Sequence, residues 1–157
     1  MTTEVAGLDF AAATTAASLL IDAEAYQVNA YLMTDLARLS WYNQRNLPEA
    51  AAVTADQAAA AERTRASVRE WFAGVLAREP FVAMPTLVSA PPLIGGPRVP
   101  LTVLTMPVNL AGLPALALAV PGGLAGLPAS LQLIGPPGSE EQLVRLGRIV
   151  ETAIAAC

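Results

Sequence analysis

The 157 residues contain no histidine and no lysine, and the single cysteine, Cys157, is the last of them. Without an imidazole, neither a Ser-His-Asp triad nor a Cys-His pair can be assembled, and histidine ligation of a metal is excluded as well. One cysteine cannot form a disulfide framework or a cysteine-ligated metal cluster within the chain. Neither a metal nor a cofactor is therefore expected. Charge is also scarce, at 14% of residues against roughly a quarter in ordinary soluble domains. The net charge is −4, and the nine basic residues are all arginines. They are scattered from Arg38 to Arg148 without a stripe or cluster, so nucleic-acid binding is not expected. The opening MTTEVAGLDF has no basic segment leading into an apolar one. That predicts no secretory signal and a cytoplasmic protein. A lysine-free chain rich in Ala, Arg, Pro and Gly also fits the codon bias of a GC-rich bacterial genome.

What is abundant is small and apolar. Hydrophobic residues reach 54%, much of it alanine, and the length suits one domain burying roughly 70% of its unfolded surface. No charged residue occurs between Arg98 and Glu140, a run long enough to suggest a bilayer span on hydropathy alone. Prolines at 100, 107, 114, 121 and 128 interrupt that run at a regular interval. Each would remove a helical hydrogen bond and clash with the preceding turn, so the segment predicts buried strands and tight turns, not a membrane helix.

The chain reads as a single unit over residues 1–157, in three stretches. Residues 9–79 hold one proline, Pro48, and are predicted helical. Residues 80–137 hold the other twelve prolines and are predicted to be strand and loop. Residues 139–156 form a last helix. A long helix is expected over 11–39, with Leu19, Leu20, Ala23, Tyr26, Ala30 and Met33 on its apolar face. A break follows at Asn46-Leu47-Pro48. Thr54 and Gln57 then fit a capping box, opening a helix that buries Val68, Trp71, Phe72, Val75 and Leu76 and ends at Glu79-Pro80. Phe81 to Met84 reads as a short buried strand, and 86–100 as a loop. Residues 101–104 fit either a short strand or a helical turn. Leu116 to Val120 and Leu131 to Ile134 read as antiparallel neighbours, because their connection is short. Ser139 with Gln142 fits a second capping box, on a helix whose inner face is Leu143, Leu146, Val150 and Ile154. Glu141 and Arg145 are placed to pair one turn apart. Trp41 and Tyr42 mark an exposed contact near a helix end.

The most informative stretch is 105–135, TMPVNLAGLPALALAVPGGLAGLPASLQLIG. It carries Leu-Ala-Gly-Leu-Pro-Ala twice, from Leu110 and from Leu124, each copy running into an alternating strand. Thr105, Pro107, Asn109, Gly112, Leu113 and Pro114, then Pro121, Gly122, Leu127, Pro128, Gln132 and Gly135, resemble in order and spacing the C-terminal signature of the amidase signature family, serine amidohydrolases acting on carboxamides. Ala23-Glu24-Ala25, Arg63-Thr64-Arg65 and Met84-Pro85-Thr86 also stand in the family's order. Ser130 departs from it, where glycine is more usual. The resemblance implies an α/β fold, a partial amidase-signature fold with a few mixed or antiparallel strands flanked by helices, and a chain equivalent to the last third of such an enzyme.

The same resemblance implies a mechanism that this chain cannot perform alone. The family uses a nucleophilic serine, a bridging serine and a lysine base, which must be desolvated to lower its pKa. There is no lysine, and none of the six serines lies in a Gly/Ser-rich segment. No catalytic residue is therefore expected here. Asn109 and Thr105 are the candidate substrate-binding residues, set against the plainer reading that they make turn hydrogen bonds. Members that use glutamine as ammonia donor carry an acidic residue just before this stretch; Leu101-Thr102-Val103-Leu104 has none, which favours a simple amide. The implied partners are an amide substrate once an N-terminal amidase portion completes the site, and a split-subunit partner or a second copy. A non-catalytic binding or scaffold protein and a truncated remnant of an amidase are the alternatives.

Overall fold

The computed structural model describes residues 6–97, 99–123 and 126–156. Residues 1–5, Arg98 and Cys157 lie outside the described residues, as do Leu124 and Ala125, which open the second copy of the repeat.

Helix α1 spans Phe10–Asn29 and is capped by Asp9, whose carboxylate accepts from the Ala12 N–H at 2.9 Å. Its buried residues are Ala13, Ala16, Ala17 and Leu20. The apolar face is thus rotated from the one expected; of that set only Leu20 is fully buried, because three small alanines let neighbouring helices approach closely. The helix also stops ten residues early. Asn29 leaves helical geometry (φ −112°, ψ 8°), and its carboxamide donates to the Ala25 carbonyl at 2.8 Å. A side chain competing for helical carbonyls is a known way to end a helix. A 3₁₀ segment, Ala30–Arg38, follows and is kinked at Asp35.

Helix α2, Trp41–Ala51, starts at the cap Ser40 and runs through Pro48, where a break was expected. An interior proline costs about 3 kcal/mol, but Leu47 and Ala50 on either side are buried, and that tertiary packing holds the turn helical. Helix α3, Ala55–Leu76, begins with the expected capping box: Gln57 N–H donates to Thr54 Oγ1 at 3.2 Å, and Thr54 N–H donates to Gln57 Oε1 at 2.8 Å. It buries Ala61, Val68, Phe72 and Val75. Phe72 meets half-buried Trp71 edge to face, with centroids 4.9 Å apart.

Three antiparallel strands form one sheet in the order β1–β3–β2, where β1 is Val82–Pro85, β2 is Ala115–Val120 and β3 is Ala129–Ile134. Strand β3 pairs with both others; Ile134 faces Val82 on one side and Ala115 on the other. Alternation then sorts the side chains. Ile134 joins the core made by α1 and α3, while Leu133 and Leu118 pack with Leu143 on the opposite face. Strand β1 alternates half-buried with exposed residues instead of being buried throughout, because it is an edge strand. Its terminal Pro85 is tolerated there for the same reason.

The region read as strand and loop also holds helix. Leu101–Leu104 is a 3₁₀ turn, settling the open alternative, and Met106–Ala111 forms a six-residue helix, α4. Pro107 falls in the first turn of α4, where a missing N–H costs nothing. Gly112 ends it in left-handed geometry (φ 74°). Gly112 N–H donates to the Asn109 carbonyl and Leu113 N–H to the Val108 carbonyl. This paired arrangement satisfies two of the orphan carbonyls at the helix end, and Pro114 prevents any continuation. In the second copy, Gly126 is again left-handed (φ 77°). Each glycine is followed by Leu-Pro and then by the first strand residue, Ala115 or Ala129. The duplicated motif is therefore a device for turning the chain into a strand, used once ahead of each strand of a single hairpin.

Helix α5, Glu140–Ala155, covers the second face of the sheet through Leu143, with Leu146 and Val150 partly buried. Glu141 and Arg145 form the expected ion pair. The expected capping box at Ser139 is absent: its backbone (φ −96°, ψ 18°) is not in the extended geometry a cap requires, and no cap hydrogen bond forms. Its hydroxyl instead lies over Gly135, where an added Cβ would collide with Ser139 Oγ. That hydroxyl is buried and has no hydrogen-bond partner among the described residues. Among the described residues no helix is long and apolar enough to cross a membrane.

The two serine/threonine helix starts should respond oppositely to truncation. Thr54→Ala should cost about 1 kcal/mol in denaturant unfolding. Ser139→Ala removes a buried, unpartnered hydroxyl and should be neutral or stabilising.

Candidate functional site

Asn109 lies on α4, whose position is fixed from three sides. The Arg69 guanidinium of α3 donates through Nε to the Ala111 carbonyl at 3.3 Å, tying α3 to the end of α4. Val108, Leu110 and Ala111 are buried in the helical core. The third tie is Gln132 of β3, which is only 2% exposed. Its carboxamide nitrogen donates to the Leu104 carbonyl at 3.0 Å and to the Pro85 carbonyl at 3.3 Å. One buried side chain thus holds both the end of β1 and the turn that feeds α4. Ser130, the departure from the family pattern, is absorbed by a 2.8 Å hydrogen bond to Thr86 Oγ1.

Asn109 projects into a cleft of about 180 Å³ between α1, α3 and α4, together with Glu24, Arg65 and Arg69 over a floor that includes Leu20 and Leu110. Its side chain makes no hydrogen bond among the described residues. Arg65 Nε lies 3.1 Å from a Glu62 carboxylate oxygen, yet the N–H is not directed at it, and the buried Nε has no hydrogen-bond acceptor. The cleft therefore presents an uncommitted carboxamide and two guanidinium groups. These donors are complementary to a carbonyl oxygen or an anion, and the Glu24 carboxylate in the same cleft is complementary to a donor. Thr105 does not line this cleft; its hydroxyl donates to the Thr102 carbonyl at 3.2 Å at the start of α4. The structure thus separates the two candidate residues. Asn109 faces open space, and Thr105 is engaged in the turn.

Among the described residues no serine, threonine or cysteine lines the cleft. Ser67 and Ser89 donate to nearby carbonyls, Ser40 caps α2, Ser130 meets Thr86, and the Ser139 hydroxyl is enclosed. Among the described residues no group of acidic or cysteine side chains could hold a metal ion. The sequence marked Arg65 only within the Arg63-Thr64-Arg65 run in the family's order and did not mark Arg69; their spacing of four on one helix is what lets both line the cleft.

A second hollow, about 290 Å³, opens between α1 and α2 and is lined by Asp22, Asn29, Asn43 and Leu47 among others. Burial, reinforced by the neighbouring Glu49 carboxylate, pushes the Asp22 carboxyl above its ordinary value of 3.8. Trp41 is 71% exposed at the start of α2, stacked edge to face on Tyr42.

Comparison with known proteins places these features. The sequence matches the Amidase family model over residues 9–144. Among curated proteins no sequence matches. A solved amidase structure superposes with a TM-score of 0.82 at 23% identity, covering 94% of this chain and 37% of its own. A component of a vestigial protein complex tied to the evolutionary origins of an s-triazine catabolic enzyme gives a TM-score of 0.82 at 22% identity, over 92% of this chain and 35% of its own. A bacterial aryl acylamidase of the amidase signature enzymes family gives 0.67 at 19% identity, over 87% and 32%. At such identities the likeness is one of fold. The chain spans about a third of the length of the structures it resembles.

Two measurements follow from this geometry. Gln132→Leu leaves the Leu104 and Pro85 carbonyls without their donor and should cost about 1–3 kcal/mol in equilibrium unfolding. Asp22 holds its proton more tightly in the folded chain than in the unfolded one. The stability it contributes is present below pH 3.8 and is lost as pH rises through its raised folded value. Asp22→Asn should therefore raise the melting temperature at pH 7 and leave it unchanged at pH 3.

Proposed function

Because the chain belongs to the amidase family, we propose that it supplies the C-terminal portion of an amide hydrolase, forming one wall of the substrate pocket as a single unit. The groups that break the amide bond are carried by polypeptide outside these residues. The observation that carries this reading is the family match over residues 9–144 in a chain that contains no lysine. The Asn109 cleft is the pocket wall: its free carboxamide is complementary to the substrate amide, donor to acceptor and acceptor to donor. Thr105 acts on substrate through the turn that sets α4. The carboxylate-free Leu101–Leu104 turn favours a simple amide over glutamine.

The sheet supports a place for the remainder of the enzyme. Strand β2 is hydrogen-bonded along one edge only, and Ala115, Ala117 and Ala119 stand exposed on its face. A free edge beside a low alanine face can accept another strand and a closely packed element. The partner is the rest of an amidase, on the same or a companion polypeptide. A likeness to a component of a protein complex agrees with the second arrangement. A second copy of the chain is the other occupant of this edge, and the compartment is the cytoplasm.

Co-expression with the polypeptide encoded upstream tests the reading. The two should copurify and release ammonia from simple aliphatic or aromatic amides. The purified chain alone should release none and should resist labelling by a serine-directed fluorophosphonate. Turnover, or stoichiometric labelling, in a sample free of any companion would overturn it.

A further inference from the structure

The hollow between α1 and α2 carries chemistry that the Asn109 cleft does not use. Its walls include Ile21, Leu32, Leu39 and Leu47, and its polar groups include Asp22 and Asn43. The volume, about 290 Å³, exceeds the roughly 150 Å³ apolar cavity that accepts a benzene ring, and leaves room for a short polar head.

The polar groups are open to a ligand. Asp22 makes no hydrogen bond or ion pair among the described residues, and neither does the Asn43 side chain. Asn29 spends its carboxamide nitrogen on the Ala25 carbonyl at 2.8 Å, which leaves its oxygen as an acceptor. The cations on the surrounding elements are already engaged. Arg45 of α2 lies 3.6 Å from Glu49 and donates to Asn46 at 3.3 Å; Arg38 of the 3₁₀ segment lies 3.7 Å from Asp35. Among the described residues Asp22 is thus a carboxylate without a counter-ion at the edge of an apolar space. Asp22 flanked by amides, with the nearby Glu49 carboxylate held by Arg45, offers too few hard ligands for a divalent cation, and aliphatic walls repel a hydrated ion. An organic cation satisfies both halves at once.

We propose that this hollow binds a small organic ammonium ion, its apolar body against Leu32, Leu39 and Leu47 and its charged head paired with Asp22. The ammonium donates to the Asp22 carboxylate and to the free Asn29 oxygen, and the half-exposed Tyr42 ring at the rim adds a π face to the cation. The site stands apart from the amide-hydrolase reading, since none of its polar groups lies in the Asn109 cleft.

Titration calorimetry of the intact chain with benzylammonium chloride, and with benzyl alcohol as the uncharged counterpart, tests this. Benzylammonium should bind saturably, with the alcohol about tenfold weaker or more. Asp22→Asn should abolish the preference, while Glu24→Gln, the same charge change in the neighbouring cleft, should leave it intact. Equal binding of the two compounds overturns the proposal, as does no saturable binding below about 10 mM. So does an equal loss of preference in both variants. If Asp22→Asn fails to fold, the comparison of the two compounds on the unaltered chain decides the matter by itself.

Discussion

Strand β3 is hydrogen-bonded along both edges and covered on both faces, and the remaining elements take their places from it. Ile134 is fully enclosed on the side of α1, α3 and α4, and Leu133 is 3% exposed on the side of α5. A slip of one residue would exchange these faces and place Gln132 among the leucines under α5, so the register is firmly held. Gly135 continues the constraint beyond the strand. Its lack of a side chain lets Ser139 and Leu143 close over the backbone, and α5 lands on the sheet at that point.

The polar residue in this buried strand connects fold to site. Gln132 is tolerated in the interior because both donors of its carboxamide are engaged by carbonyls, one from the end of β1 and one from the turn before α4. A satisfied buried amide fixes its surroundings more sharply than an apolar side chain would, since its partners must stay in hydrogen-bonding geometry. Helix α4 thereby has a defined start, and its left-handed glycine cap gives it a defined end. Asn109, between the two, is presented to the cleft by backbone that has little freedom to move.

The cleft gathers donors and acceptors from three helices, Asn109, Arg65, Arg69 and Glu24. Among the described residues the outer edges of β1 and β2 are unpaired, and Ala115, Ala117 and Ala119 of β2 are exposed. Both agree with a chain about one third the length of the amidase-fold structures it resembles. The hollow at Asp22 has different needs: it has an apolar space and, among the described residues, an unpaired carboxylate on an adjacent flank of α1.

Local chemistry was legible wherever one short segment determined it. The Thr54–Gln57 capping box, the Glu141–Arg145 pair and the hairpin of β2 and β3 are all written in neighbouring residues. The resemblance carried by 105–135 was legible for the same reason, because the glycine-leucine-proline turns that lead into the strands are local devices. Tertiary structure decided the rest. Packing of Leu47 and Ala50 kept α2 intact through Pro48, the approach of Ser139 to Gly135 replaced a helix cap with a buried hydroxyl, and α1 buried its alanines in place of its longer apolar side chains. Which of Thr105 and Asn109 faces open space, and which arginines join it, depended on how three helices distant in sequence meet, and no periodicity within any one of them encodes that.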